Sequence, residues 1–485
     1  MNTGNDSQSL KEKTAQGLFW GFMSSGGTQL LNLAIGIFLA RLLSPEEYGV
    51  VGMLAVFSMI AVNLQDSGFG VALINIKDIK HNDYNSVFWF NIGVSVILYL
   101  LLFLCSPLIA SFFRQPCLTS LSRYVFLGFL FSALGITSNA VLTRNLMVKE
   151  KAVITLFALA VSGTVSVVMA FKGFSYWSLA TQQVLFNAIT CFGRFFYARW
   201  WPTFHVDFTP VKKMFSFSYK VLITTILGSI SNNVLTVIFG RLFPAAAVGN
   251  YTQANKWENM AHWLIYGTVT QVAQPVLARI NDDQERQRRV FGKILRFTAF
   301  MSFPAMFGLA LVAPELITVA IGPQWKNSIP LLQILCISGA FLPIYVVYQQ
   351  LFLSLGKSNI YMWLNIFQIV ITIATVLACH RLGMTAMVVA FAAITVIWLM
   401  AWQFFASRLV GYGFVNMLRD LVPFMLIAFV VMVLTRLITL PIGNLTILLL
   451  VKVVVAAALY ALALKLTRAK IYDECVSFIR SRIKK

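Results

Sequence analysis

Charge is scarce in this chain, and acidic charge most of all. Only 17 Asp and Glu stand against 38 Lys and Arg, and the four types together make 11% of the sequence. With a mean hydropathy of +0.78, so little charge excludes an ordinary soluble globule. Histidine is rarer still: His81, His205, His262 and His380 are too scattered to compose a metal site. Cys105, Cys117, Cys191, Cys336, Cys379 and Cys475 contain no CxxC pair. Most lie in or beside apolar runs, which points to reduced, structural thiols. No glycine-rich loop followed by Lys-Ser/Thr is present, which speaks against ATP as an energy source. No polar stretch is long enough to fold as a globular enzyme domain, and no catalytic constellation stands out. A cleavable signal peptide is not expected, because Met1 to Ala15 is polar and the first apolar stretch is long enough to span.

What the chain has is apolar length. Hydrophobic residues make 59% of it, in recurring runs of about 20 residues, each able to cross a bilayer. The pattern predicts an all-α polytopic membrane protein with about 14 transmembrane helices. Six are expected at roughly 17–41, 48–66, 86–112, 120–141, 153–171 and 175–198. Six more are expected at roughly 215–240, 249–277, 295–321, 329–355, 359–379 and 384–406, and two at roughly 419–439 and 444–465. Asn5 to Thr14 reads as a polar tail. The net charge of +21 would suit a nucleic acid, but the basic residues sit in the gaps between apolar runs, where they report topology instead. With the N-terminus in the cytoplasm, 28 of the 38 Lys and Arg fall on that side, so both termini are expected there.

The chain also repeats itself. Arg41-Leu42-Leu43-Ser44-Pro45-Glu46-Glu47-Tyr48-Gly49 is echoed by Arg241-Leu242-Phe243-Pro244-Ala245-Ala246-Ala247-Val248-Gly249. The apolar helix before each carries a polar stripe on one face: Ser25, Gln29, Asn32 and Gly36 in the first, Thr225, Ser229, Asn232 and Thr236 in the second. Asp83 and Asp283 share the offset. Six helices per repeat means that both halves enter the membrane from the same side, as a parallel rather than inverted repeat. The expected organisation is a first lobe over 1–200, a linker over 201–214, a second lobe over 215–408 and two extra helices over 409–470. A basic amphipathic tail follows over 471–485, where Ile471, Cys475, Ile479 and Ile483 recur among Arg480, Arg482, Lys484 and Lys485. Two pseudo-symmetric lobes sharing a cleft suit alternating access by rocking, and the extra helices read as peripheral.

Two motifs in order, Ala40 to Gly49 and Asp66-Ser67-Gly68-Phe69-Gly70-Val71-Ala72-Leu73-Ile74, resemble those of Wzx-type polysaccharide flippases. These belong to the multidrug/oligosaccharidyl-lipid/polysaccharide exporter superfamily, and the similarity is strongest to the colanic-acid and teichuronic-acid branch. The resemblance spans residues 11–410 and implies two six-helix bundles around a central, often cationic cavity. It implies a transporter, not an enzyme. The implied substrate is a polyprenyl-pyrophosphate-linked oligosaccharide, exported across a bacterial inner membrane for surface polysaccharide such as lipopolysaccharide, alongside polysaccharide polymerase machinery and membrane lipids. The implied cofactors are none beyond a coupling proton or sodium ion. A drug/cation antiporter of the same superfamily would more often show acidic cavity residues. A membrane polysaccharide polymerase or ligase would need a large external loop, which is absent here.

Against that frame the polar residues of the helices become candidates. Gln29, Asn32, Ser229, Asn232 and Thr236 offer amides and hydroxyls suited to sugar hydroxyls, or equally to helix–helix hydrogen bonds. Tyr251, Asn255, Glu258, His262 and Tyr266 form a polar stripe on the second helix of the second half, flanked by Lys256 and Asn259. Their counterparts, Val51, Ala55, Ser58, Val62 and Asp66, are mostly apolar. A charge deep in a bilayer usually faces water or a partner. Glu258 and His262 are one turn apart and could hold a coupling proton, while a Lys256–Glu258 pair near the surface is the plainer reading. Arg41 and Arg241 suit a pyrophosphate. Each is nine residues beyond its stripe Asn, about 900° around a straight helix, so each points away from the stripe. Asp66 is either a gate contact or a loop brace.

Overall fold

The computed structural model describes residues 3–66, 69–76, 78–204, 207–212, 214, 233–280, 283–467 and 471. Among these residues the regular structure is all helical, without a strand, and ten helices are long and apolar enough to cross a membrane. The chain divides into two compact units, Met1–Gly249 and Asn250–Lys485.

The first unit holds α1 (Thr3–Leu42), α2 (Pro45–Asp66), α3 (Phe69–Asn75), α4 (His81–Phe113), α5 (Leu118–Arg144), α6 (Val148–Phe171) and α7 (Trp177–Ala198), with α8 (Asn233–Leu242). The polar stretch Asn5 to Thr14 is helical, since α1 already begins at Thr3 and no proline interrupts it. The α1–α2 turn is fixed by reciprocal capping. The Ser44 amide donates to Glu47 Oε2 at 2.6 Å, and the Glu47 amide donates to Ser44 Oγ at 3.3 Å, with Pro45 at the first helical position. The short α3 is unforeseen by hydropathy. Phe69, Ala72 and Leu73 are buried, and Arg144 Nη1 donates to the carbonyls of Leu73 and Ile74 at 3.4 and 3.3 Å and to that of Ile76. One guanidinium thus satisfies the open C-terminal carbonyls of the helix.

The two repeated motifs meet inside this unit. A β-carbon on Gly49 would overlap the Ala245 carbonyl, and one on Gly249 would overlap the Pro45 carbonyl. Only glycine permits two backbones to approach so closely. Each motif therefore supplies the surface against which the other packs.

The second unit continues α9 (Ala245–Ala278) and holds α10 (Gln284–Ala320), α11 (Ser328–Gly339), α12 (Leu342–Ser354), α13 (Ser358–Ala378), α14 (Met384–Val410), α15 (Phe414–Ile438) and α16 (Leu445–Leu466). Asp283 caps α10 by accepting from the Arg286 amide at 2.9 Å, and Asn444 caps α16. The helix expected over 329–355 is broken in two. Pro343 lacks the amide that would bond the Gly339 carbonyl, so the ladder fails there, and the chain bends between α11 and α12. Helices α15 and α16 are far from loosely attached. Both pack on α10, and Lys452 Nζ of α16 lies 2.7 Å from Glu315 Oε1 of α10 with both side chains under 10% exposed. Arg296 of α10 approaches Asp420 of α15 at 2.9 Å. The five cysteines among the described residues are free, and Cys475 lies outside them.

Candidate functional site

The described candidate residues fall on α1, α2, α8 and α9. On α1, exposure declines along the stripe: Ser25 is exposed, Gln29 and Asn32 are half-buried and Gly36 is buried. Helix α1 packs on α6, where Gly27 abuts Leu156 and Ile35 abuts Gly163. At 100° per residue Gly27 lies roughly 140–180° around the helix from the stripe residues and Ile35 roughly 60–120°. Helix α6 thus covers the back and one flank of α1, with the stripe beside that contact. Arg41, on the packing side of the helix, is exposed.

On α8, Thr236 is buried, while Ser229, Asn232 and the earlier Thr225 lie outside the described residues. Asn233 donates its amide to Met59 Sδ at 3.0 Å. Arg241 is exposed, yet its Nη1 donates to the Phe112 carbonyl at 2.7 Å and its guanidinium lies 5.4 Å from the Phe112 ring. The arginine thus closes the C-terminal end of α4, where Arg114 adopts a left-handed conformation at φ 55°. Asp66 ends α2, and its side chain lies outside what the structure describes.

On α9 the stripe forms a continuous packed seam. Tyr251, Glu258 and His262 are buried, Asn255 and Tyr266 half-buried. His262 Nδ1 and Glu258 Oε1 are 3.1 Å apart, with side chains 9% and 5% exposed. The carboxylate reaches the α11–α12 break: a β-carbon on Gly339 would overlap Glu258 Oε1 and Met306 Cε. Just beyond, Ser302 Oγ donates to the Ala340 carbonyl at 2.7 Å, and at the far end of α11 Ser328 Oγ donates to Asn250 Oδ1 at 2.9 Å. The Lys256–Glu258 pair does not form. Residues two apart on a helix face different ways, and half-buried Lys256 has no ion-pair partner among the described residues. Asn255 contributes its backbone carbonyl to Asn259 at 2.7 Å. What this arrangement offers chemically is a buried acid–imidazole pair seated where a helix is interrupted and backbone groups are released from the ladder. No group of three or more His, Cys, Asp or Glu suited to a metal ion occurs among the described residues.

Sequence reasoning missed Glu315, Lys452, Arg296 and Asp420. A signal existed for the first, an isolated acid in an apolar run, but its partner lies 137 residues away. Asp420 also accepts from the Tyr412 hydroxyl at 2.6 Å. Burial first, and then that carboxylate, hold the Tyr412 phenol well above its usual range.

Comparison with known proteins agrees with this architecture. A family model described as polysaccharide biosynthesis protein matches residues 38–330. The lipopolysaccharide biosynthesis protein WzxC of Escherichia coli (strain K12) is 26% identical over 366 residues, covering 74% of each chain. The teichuronic acid biosynthesis protein TuaB of Bacillus subtilis (strain 168) is 26% identical over 335 residues, 68% of this chain and 69% of that protein. Among solved structures, the lipid II flippase MurJ in an inward closed conformation superposes with a TM-score of 0.73 at 14% identity. It covers 95% of this chain and 100% of that one, a likeness of fold.

Proposed function

The chain belongs to the polysaccharide biosynthesis protein family, matched over residues 38–330, and from that premise we propose that it is a flippase for polyprenyl-pyrophosphate-linked oligosaccharides. It would move repeat units from the inner to the outer leaflet of a bacterial inner membrane, by alternating access, and pass them to polysaccharide polymerase machinery. It is read as a transporter and not an enzyme. The observation that carries this reading is the family match, joined to relatives named for lipopolysaccharide and teichuronic acid biosynthesis. The fold shared with a lipid II flippase supports it. Polar stripe residues Gln29, Asn32, Ser229, Asn232, Thr236 and Asn255 would contact the sugar, Lys256 and Arg241 would hold the pyrophosphate, and Arg41 and Asp66 would gate the cavity. Proteoliposomes carrying a fluorescent lipid-linked oligosaccharide test the reading. We expect the protein to speed the glycan's arrival at the opposite leaflet, and a rate equal to that of protein-free vesicles would end it.

In the proposed topology, fourteen spans form two parallel six-helix lobes plus α15 and α16, with both termini cytoplasmic. Exposed Asn327 and Lys357, each replaced by Cys in a cysteine-free background, should label from the outside and the inside respectively. Labelling of both from one side would overturn the topology.

Coupling is assigned to Glu258 and His262. A proton bound there would change the charge on the α9 seam and bias the two access states. Shifting a ratio from 1:99 to 99:1 takes about 5.5 kcal/mol of differential binding, so the substrate must contribute alongside the proton. Glu258→Gln keeps the shape and the contact with His262. Transport by that variant should no longer respond to a proton gradient, and an unchanged response, or a response to sodium alone, would remove the pair from the mechanism.

A further inference from the structure

Helix α10 is too long for the bilayer it crosses. Its 37 residues extend about 55 Å at 1.5 Å per residue, against a hydrocarbon core of about 30 Å. The surplus lies at its N-terminal end, where the sequence is charged. There Gln287, Phe291 and Leu295 are buried. Arg286, Arg289, Lys293 and Arg296 follow at spacings of 3, 4 and 3 and share the opposite face, within an arc of about 80°. The first three are exposed, as are Arg279 and Arg288 beside them. Two acidic residues, Asp283 and Glu285, stand among them, and Asp283 is occupied as the helix cap.

A second element completes this surface. Arg296 reaches Asp420 of α15 at 2.9 Å, and Gln284 Nε2 donates to the Leu409 carbonyl of α14 at 3.0 Å. The α14–α15 turn is thereby held against the base of α10. That turn exposes Arg408 and Arg419, and it also exposes Phe404, Phe414, Val415 and Leu418. The Arg408 guanidinium lies over the Phe404 ring at 4.4 Å. Exposed cations alone would suit any dissolved polyanion. Exposed cations interleaved with exposed aromatic and aliphatic side chains, at the level where a long helix leaves the hydrocarbon, match the interface of a bilayer.

We propose that the base of α10 and the α14–α15 turn form a docking surface for anionic phospholipid headgroups. Arg286, Arg289 and Lys293 meet the headgroup phosphates, with Arg408 and Arg419 at the edge. Phe414, Val415 and Leu418 rest among the first acyl carbons. The surface sets the depth of the second unit in the membrane. In the topology above it faces the cytoplasmic leaflet, but the contact itself does not depend on that orientation or on the transported substrate.

The test uses the full chain in nanodiscs with the same lipid in both leaflets, phosphatidylcholine with or without phosphatidylglycerol. Lipids retained after transfer to detergent are read by native mass spectrometry. We expect wild-type protein to retain phosphatidylglycerol selectively. The variant Arg286→Gln/Arg289→Gln/Lys293→Gln should bind it roughly 100-fold more weakly, about fivefold for each basic residue removed. Arg381→Gln, on the exposed α13–α14 turn, should retain it as wild type does. The charge-conserving Arg286→Lys/Arg289→Lys variant should also bind, so a misfolded glutamine variant still leaves a decisive comparison. Equal retention of the two lipids by wild type overturns the proposal, as does undiminished retention by a folded glutamine variant. Displacement of the lipid by an equal concentration of soluble glycerol phosphate would mark a simple anion site and overturn it too.

Discussion

The two units bury different kinds of polar residue. Every buried Asp, Glu, Lys or His among the described residues lies in Asn250–Lys485: Glu258, His262, Glu315, Asp420 and Lys452. Among the described residues of Met1–Gly249, the buried polar side chains besides tyrosine, tryptophan and cysteine are Ser, Thr and Asn. Several buried hydroxyls of the first unit bond carbonyls of their own helix, as Ser106 Oγ does to Leu102 at 3.0 Å and Ser162 Oγ to Leu159 at 3.3 Å. Such groups let helices approach closely without choosing a partner. A buried charge needs a partner: Glu258 and His262 find each other within α9, while Glu315 and Asp420 find theirs on another helix. The first unit is thus specified by close packing, and the second by pairs.

Removing half of a pair is the strongest way to break that contrast. Lys452→Met leaves Glu315 charged and unpartnered, which should cost about 3–5 kcal/mol. Lys452→Met/Glu315→Met should recover most of it. A fluorescence-detected thermal unfolding series in micelles would show both, and a single variant as stable as wild type would mean that the pair specifies nothing. Asp420→Asn should cost less, about 1–2 kcal/mol. Arg296 is 42% exposed on its side chain and water screens it, while the Tyr412 hydroxyl keeps an acceptor. In the first unit, Ser166 Oγ donates to the Ser178 carbonyl at 2.8 Å across two helices. Ser166→Ala should lower stability by about 1 kcal/mol in the same assay. The smallest effect is expected at Asn91, which is fully buried with neither amide atom hydrogen-bonded. Asn91→Leu should be neutral or stabilising, because it removes a buried amide that makes no hydrogen bond. A large loss there would reveal a hidden polar network and erase the distinction between the units.

Hydropathy located most of the helices, because a bilayer demands the same apolar length wherever a chain crosses it. The stripes were legible for the same reason, since 3.6-residue periodicity sorts residues by face, and the α9 stripe does share a seam. Three kinds of feature were not. The α11–α12 break depends on one proline opposite one glycine, a signal too small to outweigh an unbroken apolar run. The docking of α15 and α16 depends on Lys452, Arg296 and their acids, and residues so distant in sequence carry no local mark of their pairing. Arg241 carries no local mark of its bond to the Phe112 carbonyl, 129 positions away. Helix faces are local properties, and partners across helices are not.

The reciprocal seat of Gly49 against Ala245 and of Gly249 against Pro45 also has a bearing on biosynthesis. Chains are made from the N-terminus, and domains usually fold as they emerge. When α7 has left the ribosome, the flank of α2 at Gly49 still lacks the backbone it will finally touch. The first unit closes only after the second copy of the motif has been translated and inserted. The duplicated stretch therefore acts as a late keystone for its own original, and a ribosome stalled between the two leaves a half-protein with an open seam for quality control to find.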